Sequence, residues 1–422
     1  MKLQVRPSAI QGTISAPPSK SYTHRAIVLA SLAHGDSRLK GPLLSGDTLA
    51  TLKGMEQFGA IVKREGDDLI VRGGKLKAPT GPVDCANSGT TIRLLSGIAS
   101  LLPYNVTLTG DESLQKRPMK PLLNALTELG VRATSQRGDG NAPIIIRGPN
   151  KGRWAHIKGD ISSQFISSLL ISSALKDLDT EIVITTPLRS KPYVEITRDM
   201  MSLFGAISTE TKNGYRVLGG QRYRPKDYAI PGDYSSAAFP LVAAALTGKV
   251  TVSGLDPKDR QGDRMVLDVL AKFGARVSWS GNSVTVEKGD LRGADVDVGD
   301  SPDAFPILAV LASQSKGETR LTNGAHLRFK ESDRIATTVA FLKLMGSDIE
   351  EREDGCVIKG PTKLKARTIN PSGDHRIHMA AAVAGLVADG VSTITDGDCY
   401  RISYPRFVAD LKALGAGAEE SG

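Results

Sequence analysis

The chain has 422 residues, of which 40% are hydrophobic and 23% are charged, a composition typical of a globular protein with a sizeable core. It carries 54 lysine and arginine residues against 45 aspartate and glutamate residues, so the net charge is +9 and an anionic partner is favoured. The basic residues form no long run, the cysteines form no CxxC pair, and no apolar stretch reaches the length of a membrane span. These patterns argue against a basic tail, a disulfide framework, a zinc site and a membrane protein.

The three cysteines, Cys85, Cys356 and Cys399, lie far apart in the chain. Sparse, scattered cysteines are typical of proteins from a reducing compartment. The first residues, MKLQVRPSAIQG, are typical of a short strand and not of a signal peptide. We therefore expect a cytoplasmic protein.

A short marker recurs six times along the chain and defines a repeat. In each copy an amphipathic helical stretch, such as TLATLKGMEQ or RMVLDVLAK, ends at a hydrophobic residue followed by glycine. The marker glycines, spaced 69 to 75 residues apart, are Gly59, Gly130, Gly205, Gly274, Gly346 and Gly415. Glycine at this position predicts a helix end, where the backbone takes a positive φ. The first five markers lead into strand-like alternation, and the sixth copy stops soon after its glycine.

Each copy also opens with small and polar residues ahead of an apolar helix. The openings are SKSYTHR, ANSGTTIR, DISSQF, GDYSSAAF, GDSPDAF and SGDHRIH. Each unit therefore consists of helix, strand, helix, strand, strand, which predicts an α/β (α+β) protein of six units. The alternative is a plain α/β protein with ordinary N-caps, because Ser, Asp and Asn are common at helix starts.

If the units pack in parallel, the N-terminal ends of their helices gather on one side. A helix N-terminus binds anions through its free N–H groups and its dipole. Several such ends facing one cleft would attract phosphates and carboxylates.

The first opening places cations at the positive end of a helix dipole. Lys20 stands at the start, and Ser21 and Arg25 are four residues apart and share a helix face. This arrangement is favourable if an anion sits between the cations. A nucleotide P-loop is excluded, because Ser19 stands where that motif needs glycine. A solvated cationic N-terminus is the alternative.

The second opening, NSGTTIR, offers Asn87 and Gly89. Gly89 would let a ligand approach the backbone closely, whereas Asn87 could equally be a simple N-cap. Further along, Arg117 precedes Pro118, which we expect to begin the next helix. Arg117 could also be a plain surface cation.

The third opening supplies hydroxyl and amide groups at a helix start, which suit a phosphate or sugar hydroxyls or act only as caps. These residues are Ser162, Ser163 and Gln164. The following RSKPYVEITRDM carries Ser190 and Tyr193, and Lys191 before Pro192 predicts an extended chain entering a helix.

Acidic residues join the pattern in the second half of the chain. Asp303 lies at the start of an apolar helix, where it is most often a cap. Lys330 and Arg334 are expected on one face of a helix, with Glu331 about 100° away around the helix axis. The alternative is an exposed helix of mixed charge. His375 and Arg376 stand together before a small, apolar helix, which favours a functional role.

As a set, these residues are rich in cations and poor in acids. They offer no acidic or histidine cluster with metal-ligand spacing, no persuasive Ser–His–Asp arrangement and no GxGxxG. The set suits substrates with several negative charges, together with one or two carboxylates for proton transfer.

Seven motifs, in order and over nearly the whole chain, resemble the 5-enolpyruvylshikimate-3-phosphate synthases of the enolpyruvyl transferase family. They are SKSYTHRA, NSGTTIR, QKRP, SSQF, SKPYVEIT, FKESDR and GDHRIHMA. The resemblance implies an inside-out α/β barrel of two lobes, each built from three βαβαββ units, with the active site in the cleft between them. It places one lobe at residues 18–230 and the other at 1–17 joined to 231–422.

The resemblance also implies a reaction of the shikimate pathway, towards chorismate and the aromatic amino acids. The enolpyruvyl group of phosphoenolpyruvate would pass to the 5-hydroxyl of shikimate 3-phosphate through a tetrahedral intermediate, with release of phosphate. No cofactor, metal, nucleic acid or membrane is implied, and a monomer is expected. Members of this family are glyphosate targets, and the retained Gly89 fits sensitivity.

By this resemblance, the motifs assign the family's site residues to positions of this sequence. The shikimate 3-phosphate site would comprise Lys20, Ser21, Arg25, Ser162, Ser163, Gln164, Ser190, Tyr193, Asp303 and Lys330. The phosphoenolpyruvate site would comprise Lys20, Asn87, Gly89, Arg117, Gln164, Arg334, His375 and Arg376. Asp303 is the candidate base for the 5-hydroxyl, Glu331 and Lys20 are candidate proton carriers at C3, and His375 would assist.

Two positions depart from the family. His326 stands where asparagine is common, and Ile402 stands where many bacterial members have a lysine that contacts phosphoenolpyruvate. Two alternatives for the function remain. A UDP-N-acetylglucosamine enolpyruvyl transferase would need a reactive cysteine in a mobile loop, whereas Cys85 lies just before NSGT. A basic nucleic-acid-binding protein would need stacking platforms, and aromatic residues make up only 5% of the chain.

Overall fold

A computed structural model describes all 422 residues of the chain. The chain divides into two compact units. Unit 1 comprises Met1–Pro17 and Pro231–Gly422, and unit 2 comprises Pro18–Ile230. Each unit has its own hydrophobic core. No helix is both long enough and apolar enough to span a membrane.

The helices are α1 (Lys20–Leu32), α2 (Gly46–Gln57), α3 (Gly89–Ala99), α4 (Lys120–Glu128), α5 (Ser163–Ser173), α6 (Lys191–Leu203), α7 (Tyr234–Thr247), α8 (Met265–Phe273), α9 (Phe305–Ser313), α10 (Arg334–Leu344), α11 (His375–Gly385) and α12 (Phe407–Ala413). Short 3₁₀ helices span Leu114–Lys116, Gly262–Arg264, Ala325–Phe329 and Cys399–Ile402.

The strands are β1 (Lys2–Arg6), β2 (Gln11–Ser15), β3 (Gly35–Lys40), β4 (Ile61–Glu65), β5 (Asp68–Gly73), β6 (Val83–Asp84), β7 (Val106–Thr109), β8 (Arg132–Ser135), β9 (Ile144–Arg147), β10 (Trp154–Ile157), β11 (Thr180–Ile184), β12 (Ser208–Thr211), β13 (Gly214–Val217), β14 (Tyr228–Ala229), β15 (Lys249–Ser253), β16 (Arg276–Ser280), β17 (Ser283–Glu287), β18 (Val296–Asp297), β19 (Gly317–Thr322), β20 (Asp348–Arg352), β21 (Gly355–Gly360), β22 (Thr368–Ile369), β23 (Ser392–Ile394) and β24 (Gly417–Ser421).

The strands form six four-stranded sheets, three in each unit, and each sheet contains one parallel pair. The copy β6–α3–β7–α4–β8–β9 shows the repeat in full: β6 pairs with β7 in parallel, and β7, β9 and β8 pair antiparallel. The predicted α/β fold of six βαβαββ units is therefore confirmed. The leading strands β6, β14, β18 and β22 have only two residues each, too few to show a periodic pattern.

Three copies are completed by distant parts of the chain. Strand β2, near the N-terminus, supplies the leading strand beside β15. Strand β14, at the end of unit 2, supplies the leading strand beside β3. Strand β1 fills the gap between β23 and β24. The sixth copy, whose sequence stops soon after its glycine, is thus completed by the N-terminal strand.

The marker glycines end their helices as predicted. Their φ angles are +105° at Gly59, +80° at Gly130, +92° at Gly205, +100° at Gly274, +91° at Gly346 and +93° at Gly415. A side chain is strained at such angles, which is why glycine recurs at these positions.

The first helix of each copy lies in the centre of its unit. Every residue of α3, α9 and α11 is buried, whereas strands such as β4 and β16 expose most of their residues. A helix that is apolar on all sides must be covered on all sides. The sheets therefore lie outside and the helices inside, as expected for an inside-out barrel.

Three local expectations were wrong. Lys330 and Glu331 do not lie on a helix with Arg334, because α10 begins only at Arg334, after the N-cap Asp333 accepts the N–H of Ala336 at 3.0 Å.

The other two errors concern prolines. Lys191 is helical and not extended, because Pro192 occupies the first turn of α6, where its missing N–H costs nothing. Pro118 does not begin a helix, since α4 starts at Lys120.

Candidate active site

The central helices of unit 2 run parallel, so their N-terminal ends meet. Thr90 and Arg93 near the start of α3 bond to Gln164 at the start of α5, with Gln164 Nε2 donating to Thr90 Oγ1 at 2.7 Å. Arg25 of α1 donates to Ser167 of α5 at 3.3 Å. The polar openings of the first three copies therefore lie together at one end of unit 2.

Lys20 is the first residue of α1 and pairs with a buried carboxylate. Its Nζ lies 3.1 Å from Oδ2 of Asp47, and the side chains of Lys20 and Asp47 are only 12% and 6% exposed. Asp47 lies in the first turn of α2, and a capping box formed by Ser45 and Thr48 fixes the start of that helix. The pair fixes the ammonium group at the positive end of the α1 dipole.

Arg25 is buried without any carboxylate partner. Its guanidinium donates to Thr197 Oγ1 at 2.7 Å, to the carbonyl of Ser21 at 2.9 Å and to the carbonyl of Tyr193 at 3.0 Å. Burial lowers the pKa of Arg25 to about 10, so the group still carries its charge at neutral pH. A buried cation bonded only to neutral oxygens is costly unless an anion comes near.

Gly89, the first residue of α3, lies beside two guanidinium groups. A β-carbon built on it would lie 3.1 Å from Nη1 of Arg117 and 3.3 Å from Nη1 of Arg93. Arg117 is held by Oδ1 of Asn87 at 2.6 Å, and Asn87 in turn donates to Asp111 at 2.7 Å. The absence of a side chain therefore leaves the backbone amide end of α3 next to two cations.

The remaining predicted residues of unit 2 line the ends of α5 and α6. Ser162 is the N-cap of α5 and accepts the N–H of Gln164 at 3.3 Å. Ser163 begins α5 and is buried. Ser190 precedes α6 with φ +55°, and its carbonyl accepts the N–H of Tyr193 at 3.1 Å.

In unit 1, Arg334 is surrounded by carboxylates. It is 1% exposed and donates to Asp374 at 2.8 Å, to Asp303 at 2.6 Å and to Glu331 at 2.7 Å. These three carboxylates outweigh burial and raise the pKa of Arg334 well above its usual value. Glu331 reaches the cluster from the bend before α10 and not from a helix face.

Arg376 joins the same cluster through Asp303. Its Nη2 lies 3.1 Å from Oδ2 of Asp303, and its guanidinium lies 5.9 Å from the ring centroid of Phe239. Nε and Nη1 of Arg376 have no hydrogen-bond partner. Asp303 thus bridges two arginines, and Arg376 keeps donors for a further group.

His375 and Lys330 complete the unit 1 set. His375 is the first residue of α11, is fully buried, and follows the N-cap Asp374. Lys330 directly follows the 3₁₀ helix Ala325–Phe329 and is half-buried.

The two departures from the family lie in 3₁₀ helices. His326 is buried in the helix Ala325–Phe329. Ile402 ends the helix Cys399–Ile402 and is half-buried. The neighbouring Arg401 is directed to Tyr400 and Glu420 at 3.3 Å, so Arg401 does not supply a cation in place of the missing lysine.

The sequence analysis left three residues of these clusters out of the predicted site: Asp47, Arg93 and Asp374. Arg93 was visible in NSGTTIR, four residues after Gly89 and therefore on the same helix face. Asp374 was visible as an N-cap in SGDHRIH. Asp47 carries no signal of its own, because its partner Lys20 lies 27 positions away.

No group of three or more His, Cys, Asp or Glu side chains is placed to hold a metal ion. The cysteines are unpaired, and burial raises the pKa of the Cys85 thiol far above its ordinary value. Such a thiol is a poor nucleophile, so Cys85 lacks the character that the UDP-N-acetylglucosamine alternative requires.

Comparison with known proteins shows the family of the chain. A sequence model of the family described as EPSP synthase (3-phosphoshikimate 1-carboxyvinyltransferase) matches residues 5–411. The chain is 54% identical to the 3-phosphoshikimate 1-carboxyvinyltransferase of Methanocorpusculum labreanum over 100% of both chains. It is 45% identical to the enzyme of the same name from Methanocaldococcus jannaschii over 97% of each.

Among solved structures, the fold is similar to that of EPSP synthase from Acinetobacter baumannii. The TM-score is 0.82 and the sequence identity is 29%, with 100% of both chains covered.

Proposed function

The chain belongs to the EPSP synthase family and transfers the enolpyruvyl group of phosphoenolpyruvate to shikimate 3-phosphate, and from this premise we propose how its residues divide the work. In this reaction the 5-hydroxyl oxygen attacks C2 of phosphoenolpyruvate while C3 gains a proton. The tetrahedral intermediate then loses phosphate from C2 as C3 gives up a proton. Most of the task is to orient two anions and to neutralise their charge.

One contrast carries the proposal. Arg25 in unit 2 is buried among neutral oxygens, whereas Arg334 in unit 1 is bonded to three carboxylates. A guanidinium without a counter-ion is suited to hold a substrate phosphate. A cluster that already holds several carboxylates is suited to move protons.

Unit 2 therefore holds shikimate 3-phosphate in the proposal. Arg25 and Lys20 face its charge, and hydroxyl and amide groups orient its ring. The orienting residues are Ser21, Ser162, Ser163, Gln164, Ser190 and Tyr193. From unit 1, Asp303 and Lys330 act on the same substrate.

Phosphoenolpyruvate is assigned to the cations around the first turn of α3 and to those of unit 1. Arg117, next to Gly89 and held by Asn87, contacts it together with Lys20. Gln164 lies at the same end of unit 2, bonded to Thr90. From unit 1 it meets Arg334, His375 and Arg376, of which Arg376 has two nitrogens without partners.

Asp303 is assigned as the base that takes the proton of the 5-hydroxyl. Of its two arginine contacts, that to Arg376 is the longer, at 3.1 Å against 2.6 Å to Arg334. Arg376 can therefore turn to phosphoenolpyruvate while Arg334 keeps the carboxylate in place. Glu331 and Lys20 carry the proton at C3, and His375 assists them.

Phosphate release from phosphoenolpyruvate and shikimate 3-phosphate tests these assignments, with UDP-N-acetylglucosamine as the second acceptor. We expect phosphate to be released when shikimate 3-phosphate is the acceptor and not when UDP-N-acetylglucosamine is the acceptor. In Asp303→Ala, turnover should fall by about 10²–10⁴-fold, while calorimetry should still detect binding of shikimate 3-phosphate. The exposed Glu353→Ala is the control. Near-normal turnover of Asp303→Ala would remove the base assignment.

A reducing, cytoplasmic location and a monomeric state also belong to the proposal. The three unpaired cysteines support the first. Light scattering on the purified chain tests the second, and a mass twice that of 422 residues would contradict it.

A further inference from the structure

A cavity opens at the end of unit 2 opposite to the residues described above. Its volume is ≈ 570 Å³. It is lined by the residues that follow the central helices α1, α3 and α5, and by the loops that follow β5, β9 and β13. We call it the distal pocket. Since α1 has 13 residues, the pocket lies about 20 Å from Lys20 along the helix.

The polar lining of the distal pocket is strongly cationic. It contains four cations, Lys75, Lys151, Lys176 and Arg222, against a single acid, Asp177, and it also includes His34. Each of the three loops supplies one of these cations: Lys75 follows β5, Lys151 follows β9, and Arg222 follows β13. All three side chains are exposed at the rim of the pocket. None of them makes a hydrogen bond or an ion pair within the protein. Asp177 is the one carboxylate of the lining that offsets these charges.

Lys176 brings a cation to the wall of the pocket. It is 6% exposed, and its Nζ donates to Oδ1 of Asn150 at 3.2 Å and to the carbonyl of Gly152. Both partners are neutral. Burial, followed by the charge of Arg153, lowers the pKa of Lys176 to about 8, with the Asp179 carboxylate opposing the shift. Asn150 is 4% exposed, and its Nδ2 has no hydrogen-bond partner. The wall thus contains a cation that is hydrogen-bonded only to neutral groups, and an unused donor.

The cations of the lining lie near the C-terminal ends of three helices, where the helix dipoles favour positive charge. The carbonyl groups at the helix ends already accept N–H groups of the loops. Gly148 N donates to the carbonyl of Leu102 at 2.8 Å, and Gln221 N donates to that of Ala174 at 2.9 Å. The side chains of Lys75, Lys151 and Arg222 make no hydrogen bond to these carbonyl groups, so their N–H donors are left for a ligand.

The rest of the lining is apolar. Leucines at the ends of all three central helices face the cavity, namely Leu32, Leu101, Leu102 and Leu175. The ring of Tyr223 lies among them, with its hydroxyl bonded to the carbonyl of Ile171 at 3.0 Å. Ligand pockets of this volume combine such apolar walls with a few polar groups that fix orientation.

We propose that the distal pocket binds a small organic anion with an apolar body, of the aromatic carboxylate or sulfonate class. The charged group lies among Lys151, Lys176 and Arg222. The apolar body lies against Leu102, Leu175 and Tyr223. This site is separate from the assigned reaction site and does not depend on it.

The probe is 1-anilinonaphthalene-8-sulfonate, an aromatic sulfonate whose emission rises in apolar surroundings. The full chain is titrated in the presence of saturating shikimate 3-phosphate, so that the cations assigned to that substrate are occupied. The test variant is Lys151→Gln/Arg222→Gln, which changes two exposed side chains without partners. The control is Arg132→Gln/Lys212→Gln, which removes the same charge from exposed positions outside the pocket.

We expect one saturable probe site in the wild type and in the control. In the test variant the dissociation constant should rise about fivefold or more, since two partly exposed charge contacts are lost. Equal affinity in the test variant and the control, or no saturable binding to the wild type, would overturn the proposal.

Competition with sulfate tests the apolar part of the assignment. Sulfate in hundredfold excess over the probe is compared with sodium chloride of equal ionic strength. We expect sulfate to leave most of the bound probe in place, because it cannot use the leucine walls. Complete displacement by sulfate would mean a site for bare oxyanions and would overturn the assigned ligand class.

Discussion

At the scale of single residues, the two units treat their buried arginines in opposite ways. Arg25 is bonded to hydroxyl and carbonyl oxygens only, whereas Arg334 is fixed by three carboxylates. A sequence can show that an arginine stands near a helix start. It does not show all the partners that the arginine meets, because some of them lie far away in the chain: Asp303 is 31 positions from Arg334, and Thr197 is 172 positions from Arg25.

Gly89→Ala tests the packing of two guanidinium groups around a helix start. The new β-carbon would lie 3.1 Å from Arg117 and 3.3 Å from Arg93, so both groups must shift by a few tenths of an ångström. We expect the KM for phosphoenolpyruvate to rise about tenfold, equivalent to about 1.4 kcal/mol. The KM for shikimate 3-phosphate should change little. Steady-state kinetics with each substrate varied in turn measures both.

The matched control for this prediction is Gly130→Ala at a helix end away from the site. That glycine has a positive φ and open space around it. The substitution should lower stability and leave both KM values unchanged. An unchanged KM for phosphoenolpyruvate in Gly89→Ala would contradict the assignment.

Asp374→Asn tests the charge that holds Arg334. Asparagine is also a good N-cap, so the start of α11 should survive while one of three carboxylates is lost. Because Arg334 is 1% exposed and stays charged, we expect the free energy of unfolding to fall by about 3 kcal/mol. Urea denaturation measures it. The half-buried Asp354→Asn, whose side chain bonds only to a loop N–H, should change stability by less, and an equal loss in both would refute the prediction.

At the scale of single elements, the sequence predicted helix ends better than helix starts. All six marker glycines have the expected φ, because a left-handed residue after a helix leaves a local signature. The start of α10 was misplaced, since charge spacing suggested a helix face over residues 330–334 while Asp333 acts as the N-cap. Two-residue leading strands such as β18 left no pattern at all, because they depend on pairing with β19.

Helix α11 contains a buried histidine that gives stability a pH dependence. His378 is fully buried, and its ring centroid lies 5.4 Å from that of Tyr400. Burial lowers the pKa of His378 to about 4, with Asp398 opposing the shift. Between about pH 6.5 and this value the unfolded chain binds a proton that the folded chain does not, so stability falls as pH falls through this window.

Unfolding of the wild type and of His378→Leu at pH 7 and pH 5 measures this effect. The wild type should lose about 2 kcal/mol more than the variant over this interval. Above pH 7 the two should have parallel profiles, since neither state binds the proton there. Equal losses in the two proteins between pH 7 and pH 5 would contradict the prediction.

At the scale of the whole molecule, each unit closes its own sheets. Strand β14 completes the first sheet of unit 2, and the hydrophobic core of unit 2 draws only on residues 18–230. The periodicity of 69 to 75 residues made the number of copies visible in the sequence. The pairing of β1, β2 and β14 with copies distant in the chain left no local trace, because a strand's partner is determined by tertiary pairing.

We expect residues 18–230, expressed alone, to fold. The fragment contains a complete core and all three of its sheets, so urea should unfold it in one cooperative transition. It should bind shikimate 3-phosphate about 10 to 100 times more weakly than the full chain, because Asp303 and Lys330 are missing. Calorimetry measures the affinity, and Lys20→Met in the fragment is the control that should abolish binding. A fragment without a cooperative transition would show that the units are interdependent.

The chain leaves unit 1 after Pro17 and returns to it at Pro231, and these two points are adjacent. The N–H of Asp233 donates to the carbonyl of Pro17 at 2.8 Å, so the residues that flank 18–230 on either side are hydrogen-bonded neighbours. Viewed from unit 1, everything from Pro18 to Ile230 is an insertion at a single loop. A few flexible residues could close that loop, and the corresponding segment of a relative could be grafted there to make a chimera without cutting any sheet.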